Sequence, residues 1–438
     1  MKILNYCMAL FALMAITLTS CDDEPDPILA PVVTGIVAEG TSFEDGSSVT
    51  KDLNGATSAA DVATNSTITI TLDKAVDGST VNVSNVSISD GSNDVSSTVT
   101  SSGSTILITP DQELVRGTQY TLTLSGIKST DGGTLGNITR TFTTEGRAPV
   151  VAPKADQLLA YYDFNGTTDD QLDMFNPDNA IAIEFGDDRF GQGNSTATFD
   201  GDQSIIEIPN GDQFMANDDM SLSFWMKTNS DGHVDANGNP SSHFIIGLGA
   251  FFGFQIELRN SYNSFGFPVS YIAEDDSTTF TYQINVEGAG NDNTSGGWQG
   301  TTFDANLGEN GILDLVKDKW AHLAFSYDAT ARVGAFYING MLMRSFDFNL
   351  WDPCDEERPL SCFQATKGVN YRGNPADVEP ILALGFIKSV DSPMWASEPW
   401  GDYFRPTSNH FKGDLDDLRI WGAALTQSEI EALYDAEK

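Results

Sequence analysis

Between Met220 and Thr228 apolar and polar positions alternate, with Met220, Leu222, Phe224 and Met226 set against Ser221, Ser223, Trp225 and Lys227. Period two marks a β-strand with one apolar face; the other face is polar around a single Trp. The run before it, Thr196 to Pro209, breaks at Asp200-Gly201-Asp202, a turn between two strands. Trp320–Asp328 repeats the alternation through Leu323, Phe325 and Tyr327. The stretch Gly334–Met343 holds Asn339-Gly340, the strongest short hairpin signal. Phe411 to Trp421 forms a last strand. Thr426-Gln-Ser-Glu429 then makes a capping box on a short helix whose Ile430, Leu433 and Tyr434 dock on the sheets.

Nearer the N-terminus, Thr67–Leu72, Val81–Ile88, Ser104–Ile108, Tyr120–Leu124 and Thr139–Thr144 are short β runs. Gly, Asp and Asn turns separate them at sandwich spacing, and no Cys or Trp occurs among them. Helical periodicity is scarce in the rest of the chain. These patterns predict an all-β protein of two sandwiches, 31–145 and 157–438, joined by a Pro-punctuated linker at 146–156. The second is large for one sandwich and has room for long loops.

Composition adds a compartment and excludes a partner. The chain has 62 acidic and 23 basic residues, a net charge of −39. A surface this negative repels phosphate backbones, so no nucleic acid is expected as a partner. Excess carboxylates keep a secreted protein dispersed, and they also suit calcium. Residues 1–20 read as a signal peptide: Lys2, an apolar core from Met8 to Leu18, then Leu18-Thr-Ser-Cys21. That core is too short for a membrane-spanning helix. Residues 21–30 form an acidic, Pro-punctuated tether. Of four cysteines, Cys7 leaves with the leader and Cys21 follows it directly. Cys354 and Cys362 remain, an even pair in an oxidising compartment, and a disulfide is expected. A metal site built on these two would have no neighbouring Cys or His to complete it.

Four resemblances sharpen this reading. Leu18-Thr-Ser-Cys21 resembles a bacterial lipobox, which implies that Cys21 carries lipid. Asp22-Asp23-Glu24 resembles the tag that sends lipoproteins to the outer face of the outer membrane. Ile68-Thr-Ile-Thr-Leu-Asp-Lys-Ala-Val76, Gly117-Thr-Gln-Tyr120, Ser125–Asp131 and Thr141-Phe-Thr-Thr144 together resemble the bacterial Ig-like family, which implies a spacer. The second sandwich resembles the laminin-G-like (LamG), concanavalin A-like jelly roll. The carriers are Ala160–Gly166, Ala197–Gly201, Ile206–Pro209, Leu222–Lys227, Trp320–Leu323, Tyr337–Gly340 and Gly413-Asp-Leu-Asp-Asp-Leu-Arg-Ile-Trp421. The chain departs from that family at Phe164-Asn165, where Phe-Asp is usual, and in long insertions at about 260–306 and 350–410.

The candidate chemistry follows from these assignments. In the jelly roll the first and last strands lie close and a calcium ion often ties them. The resemblance therefore implies a structural calcium held by Asp163, Asp170 and Asp416. Jelly-roll glycosidases of related architecture place acids as Glu-x-Asp-x-x-Glu on one strand; this chain has no such run. His233, His243, His322 and His410 are scattered, and His322 reads as scaffold. No catalytic residue is assigned. Rings on polar loops are the binding signal, because sugars stack flat C–H faces on aromatics while amides and carboxylates bond their hydroxyls. The candidates are Trp298, Trp351, Tyr371, Trp395, Trp400 and Tyr403, with Asn291–Trp298 and Ser397–Phe404 the densest loops. The expected function is a lipid-anchored outer-membrane protein facing the exterior. It captures polysaccharide or oligosaccharide and serves a glycan-uptake transporter. An extracellular hydrolase or lyase on the same fold, and a protein-binding adhesin, are the alternatives.

Overall fold

The computed structural model describes residues 28–287 and 307–438, apart from positions 56, 352, 358–359, 375–377, 396 and 399. The leader, Cys21 and Trp298 lie outside the described residues. Two compact units divide the chain. One takes the described residues up to Glu39, with Thr50–Leu114 and Gln119–Thr143. The other takes Gly40–Val49, Val115–Thr118 and Thr144–Lys438.

The first unit is a sandwich. Its five-stranded sheet runs in the order Ser48–Asp52, Val33–Thr41, Thr67–Leu72, Thr105–Pro110, Ser97–Ser102. Its four-stranded sheet runs Ala59–Val62, Ile138–Thr144, Gln119–Leu124, Val86–Ser89. Ile68, Ile70, Ile106 and Ile108 from one sheet meet Ile88, Leu122, Leu124 and Phe142 from the other in one core. The threonines between them point outward, which is why the alternation was visible. The strand expected over Val81–Ile88 starts later, at Val86, because the chain first makes a 3₁₀ turn at Gly78–Thr80 capped by the Asp77 side chain.

The second unit packs two eight-stranded sheets face to face. The back sheet runs Glu184–Gly186, Thr196–Asp200, Lys412–Trp421, Met220–Thr228, Trp320–Asp328, Val333–Ile338, Met341–Asp347, with Leu158–Tyr162 also paired to Lys412–Trp421. The front sheet runs Asn179–Ile181, Ile205–Ile208, Leu382–Leu384, His243–Leu248, Phe254–Leu258, Ser264–Ala273, Thr279–Glu287, with Thr366–Val369 paired to Ser264–Ala273. Leu222, Phe224, Phe325 and Phe336 from the back sheet interdigitate with Phe254, Phe265, Phe267 and Tyr271 from the front. The Phe267 and Phe325 rings meet edge to face at 4.6 Å, a favoured aromatic geometry. At Asn339-Gly340 both turn residues have positive φ, 53° and 74°, as a type I′ hairpin turn requires.

Two features depart from the sequence pattern. The turn at Asp200–Asp202 joins strands in different sheets, so the chain arches over the core edge instead of making a hairpin. The Asp200 carboxylate holds that arch by accepting the N–H groups of Asp202, Gln203 and Ser204 at 2.8, 2.9 and 3.0 Å. The polar face of Met220–Thr228 is buried as well, because the C-terminal helix Gln427–Glu437 lies across it. Ser221 Oγ donates to the Ala423 carbonyl at 2.8 Å, and Trp225 Nε1 donates to Glu437 Oε2 at 2.7 Å. The helix opens on the expected capping box, with Thr426 and Glu429 bonded reciprocally.

Candidate functional site

The calcium candidates sit at the edge of the back sheet, each with its own partners. Asp170 is buried and accepts four backbone N–H groups, from Tyr161, Leu172, Met174 and Phe175, at 2.9–3.1 Å. It closes a loop. Asp163 accepts from Asn165 Nδ2 at 2.8 Å and Gln171 Nε2 at 3.0 Å, and burial pushes its carboxyl upward. Asn165, where the resembled family has an acid, is thus a donor to the neighbouring carboxylate. Asp416 pairs with the Arg189 guanidinium. Among the described residues no group of three or more His, Cys, Asp or Glu could hold a metal ion. Carboxylates saturated by N–H donors and guanidinium have few lone pairs left for a cation that takes six to eight oxygens.

Beside Asp416 lies a buried network of side-chain charges. Arg189 Nη2 meets Asp417 at 2.7 Å, Arg419 meets Asp417 at 3.2 Å, and Arg419 also pairs with Glu437. Tyr161 Oη donates to Asp417 at 2.6 Å. Burial alone would raise the Asp417 carboxyl, yet the Arg419 and Arg189 charges hold it well below the usual range. The four histidines are buried, and burial lowers the pKa of each. His322 bonds Ser223 at 2.7 Å beneath the C-terminal helix and is scaffold.

The ring candidates separate into pins and platform. Trp351 packs against Tyr282, Phe348 and Phe363 with centroids at 5.1, 5.5 and 4.3 Å. Tyr371 donates its hydroxyl to the Val378 carbonyl at 2.9 Å beside the core. Tyr403 is only 5% exposed, wedged between Phe386 and His410. These three tie loops down; Tyr403 is buried, and Trp351 and Tyr371 are half-buried. The disulfide expected between Cys354 and Cys362 is present, beside Trp351 and Phe363 in the same loop.

Trp395 and Trp400 behave differently. The described residues of 388–410 run over the outer side of the front sheet as successive tight turns, with Glu398 N–H on the Trp395 carbonyl and Gly401 N–H on the Glu398 carbonyl, both 2.9 Å. Gly401 is required there, since a Cβ would lie 2.7 Å from that of Trp395. The loop is fastened to the sheet: Val390 N–H donates to Glu207 at 2.8 Å, and Tyr403 Oη donates to the Gln203 carbonyl. Half-buried Trp395 leans on Phe251 at 5.7 Å and on Trp400 at 5.4 Å, and Trp400 reaches Phe244 of the sheet at 6.4 Å. Trp400 is 36% exposed and Phe404 is 73% exposed. Arg372 lies beside the rings on which Trp395 leans, its guanidinium 5.5 Å from the Phe252 ring and bonded to the Phe251 carbonyl.

The polar residues beside this loop were not singled out in the sequence. They alternate on the front sheet's outer face: Gln255, Glu257 and Arg259 between Phe254, Ile256 and Leu258, then Gln283 and Asn285 two strands away. Period two was there to read in Phe254–Arg259, a stretch given no element from the sequence. Burial raises the Glu257 carboxyl, opposed by a Ser242 hydrogen bond and the Arg259 charge.

The architecture defines an all-β protein of two sandwiches, the second bearing a rigid ring-carrying loop. Comparison with known proteins adds that residues 49–144 match the bacterial Ig-like domain family. No curated protein matches the chain. Among solved structures it is similar to the receptor binding domain of botulinum neurotoxin type G, 15% identical, TM-score 0.37, over 64% of this chain and 51% of that one. It is also similar to domain 4 of AbnA, an extracellular arabinanase from Geobacillus stearothermophilus in complex with arabinotriose, 20% identical, TM-score 0.33, over 64% and 98%. A third is the serotype D neurotoxin ligand binding domain in complex with N-acetylneuraminic acid, 12% identical, TM-score 0.37, over 64% and 51%. The chain spans about half the length of the neurotoxin domains it matches.

Proposed function

We propose that the second sandwich binds carbohydrate through the 388–410 loop, with Trp400 and Phe404 as the stacking surface. One observation carries the reading. These rings stay open to solvent on a loop that is otherwise fastened by hydrogen bonds and buried aromatics. Large exposed rings on a fixed backbone lose little freedom on binding, which is what a preorganised sugar platform needs. Arg372 and the loop carbonyls would orient hydroxyls at its edge. Lipidation at Cys21 would hold the protein on the outer face of the outer membrane, and the Ig-like unit would serve as its spacer. Captured polysaccharide would then pass to a glycan-uptake transporter.

Around Glu257, a half-buried acid on the same sheet face as the rings, the neighbours favour binding over cleavage. Glycoside hydrolysis uses two carboxyl groups about 5–10 Å apart. The cross-strand and same-face neighbours of Glu257 are Phe244, Gly266, Gln255 and Arg259, none an acid. A glycan array with the purified protein tests the proposal. Retention of at least one glycan class, weakened about tenfold or more in Trp400→Ala with the melting temperature unchanged, is the expected result. A flat array, or retention indifferent to Trp400→Ala and Phe404→Ala, overturns it.

A further inference from the structure

The outer face of the front sheet carries a polar strip that continues from the rings. Phe244 stands opposite Glu257 in the strand register, and Glu257 stands opposite Gly266. Gly266 in turn faces Asn285 on the next strand. Since Phe244 also touches Trp400, the ring loop and this row share one surface. At Gly266 the neighbouring side chains fold over the strand. A Cβ added there would lie 3.4 Å from Arg259 Nη2 and from Gln283 Nε2, and 3.5 Å from Glu257 Oε2. Three polar side chains thus converge over a residue that has no side chain of its own.

The groups are held in place before any ligand arrives. Arg259 Nη2 donates to Asn285 Oδ1 at 2.6 Å, and Gln283 Nε2 donates to the same oxygen at 3.0 Å. The Arg344 guanidinium fixes the Asn285 carbonyl. At the inner end Gln255 is 5% exposed, and its Oε1 has no hydrogen-bond partner. Ser270 Oγ, buried on the same face of the neighbouring strand, has none either. A buried acceptor without a donor costs about 1–3 kcal/mol, and Gln255 carries one two residues from Glu257 on the same face.

We infer that Glu257, Arg259, Gln283 and Asn285 around Gly266 form a subsite for an uncharged sugar residue, adjoining the one stacked on Trp400. The inference rests on the carbohydrate reading of the ring loop. Charge selects the ligand class. The strip and its margin hold two carboxylates, Glu257 and Glu287, and two guanidiniums, Arg259 and Arg344, so they offer no surplus cation to a uronate or sulfate, and the chain as a whole is strongly negative. Amides and a carboxylate–guanidinium pair offer both donors and acceptors, which is what hydroxyls require. A polyanionic glycan would be repelled along its length, within the ~8 Å reach of unscreened charge in physiological salt.

The test uses the full chain against two oligosaccharide panels, one neutral (gluco-, xylo-, manno- and arabino-oligosaccharides) and one acidic (oligogalacturonate and oligoalginate). Affinities are measured for wild type, Trp400→Ala, Glu257→Gln and Gln283→Ala, with a melting curve for each. A neutral ligand is expected to bind, weakened about tenfold or more by Glu257→Gln and about fivefold by Gln283→Ala, as loss of a charged and a neutral hydrogen bond predicts. Its affinity should not change with salt. Gln283 is exposed, so that variant keeps the test open if Glu257→Gln does not fold. Binding of a neutral glycan that Trp400→Ala weakens, while Glu257→Gln and Gln283→Ala bind as wild type, overturns the subsite and leaves the ring platform standing. Retention of acidic glycans alone overturns the ligand class in the same way. No binding to either panel overturns both readings.

Discussion

His410 has no exposed surface, and its Nε2 finds no partner. It stacks on Phe386 at 4.5 Å and Tyr403 at 4.8 Å under the ring loop. Burial drives its pKa down to about 4, against an upward pull from Asp202 and Asp200. The unfolded chain binds that proton at the ordinary histidine value of about 6.5. A depressed group costs nothing above about pH 6.5, and its stability is lost as the pH falls from there toward about 4, at ~1.4 kcal/mol per pH unit. Comparison with His410→Phe isolates the effect: the urea-midpoint advantage of wild type should be larger at pH 7 than at pH 5. An advantage that is constant or grows in acid would show that His410 is protonated in the fold. The same loop shows why sequence identified ring types but not ring roles. Tyr403 and Phe404 are adjacent and alike in chemistry, yet one is a pin and the other is open. What separates them is the cover from Phe386 and His410, which no local pattern records.

The strands with one open face were legible in the sequence; the doubly covered ones were found as strands, but the cover on their second face was not. In Thr67–Leu72 the threonines face outward, and the alternation gave the element residue for residue. In Met220–Thr228 the alternation was equally clean, but Ser221 and Ser223 are as buried as Leu222. Their cover is the Gln427–Glu437 helix, whose position depends on charges far apart in the chain: Arg189, Asp417, Arg419 and Glu437. Small hydroxyls suit that layer because each can bond a carbonyl or an imidazole while leaving room for the helix. Glu437 fastens the helix end, accepting from Arg419 and from Trp225 Nε1. Breaking one partner of a buried ion pair costs about 3–5 kcal/mol, because the other charge is left unpaired in low dielectric. Glu437→Ala should lower stability by about that amount, and Gln427–Glu437 should exchange its amides well before the sheets do. A loss under about 1 kcal/mol, with no local rise in exchange, would mean that water already reaches Arg419.

At the scale of the whole molecule, the charge of −39 admits two explanations that differ in what cations do. The first is that acidic loops are unfilled calcium ligands. The second is that Asp is turn chemistry: its carboxylate accepts nearby N–H groups and closes a loop locally. Asp90 accepts from Ser92 and Asn93, Asp235 from Asn237 and Asn239, and Asp275 from Ser277 and Thr278. Asp170 and Asp200 do the same with four and three N–H groups. A carboxylate so engaged is satisfied within its own loop, which accounts for an Asp-rich, Gly-rich chain that still builds large sandwiches. What is left over is self-repulsion among like charges, and any mobile ion screens it. The melting temperature should therefore rise with sodium chloride, and calcium and magnesium should act alike at matched ionic strength. EDTA in moderate salt should change nothing. A sharp stabilisation by a few equivalents of calcium, unmatched by magnesium and reversed by EDTA, would restore the metal clamp and displace the arginine network as the tie between the first and last strands of the second sandwich.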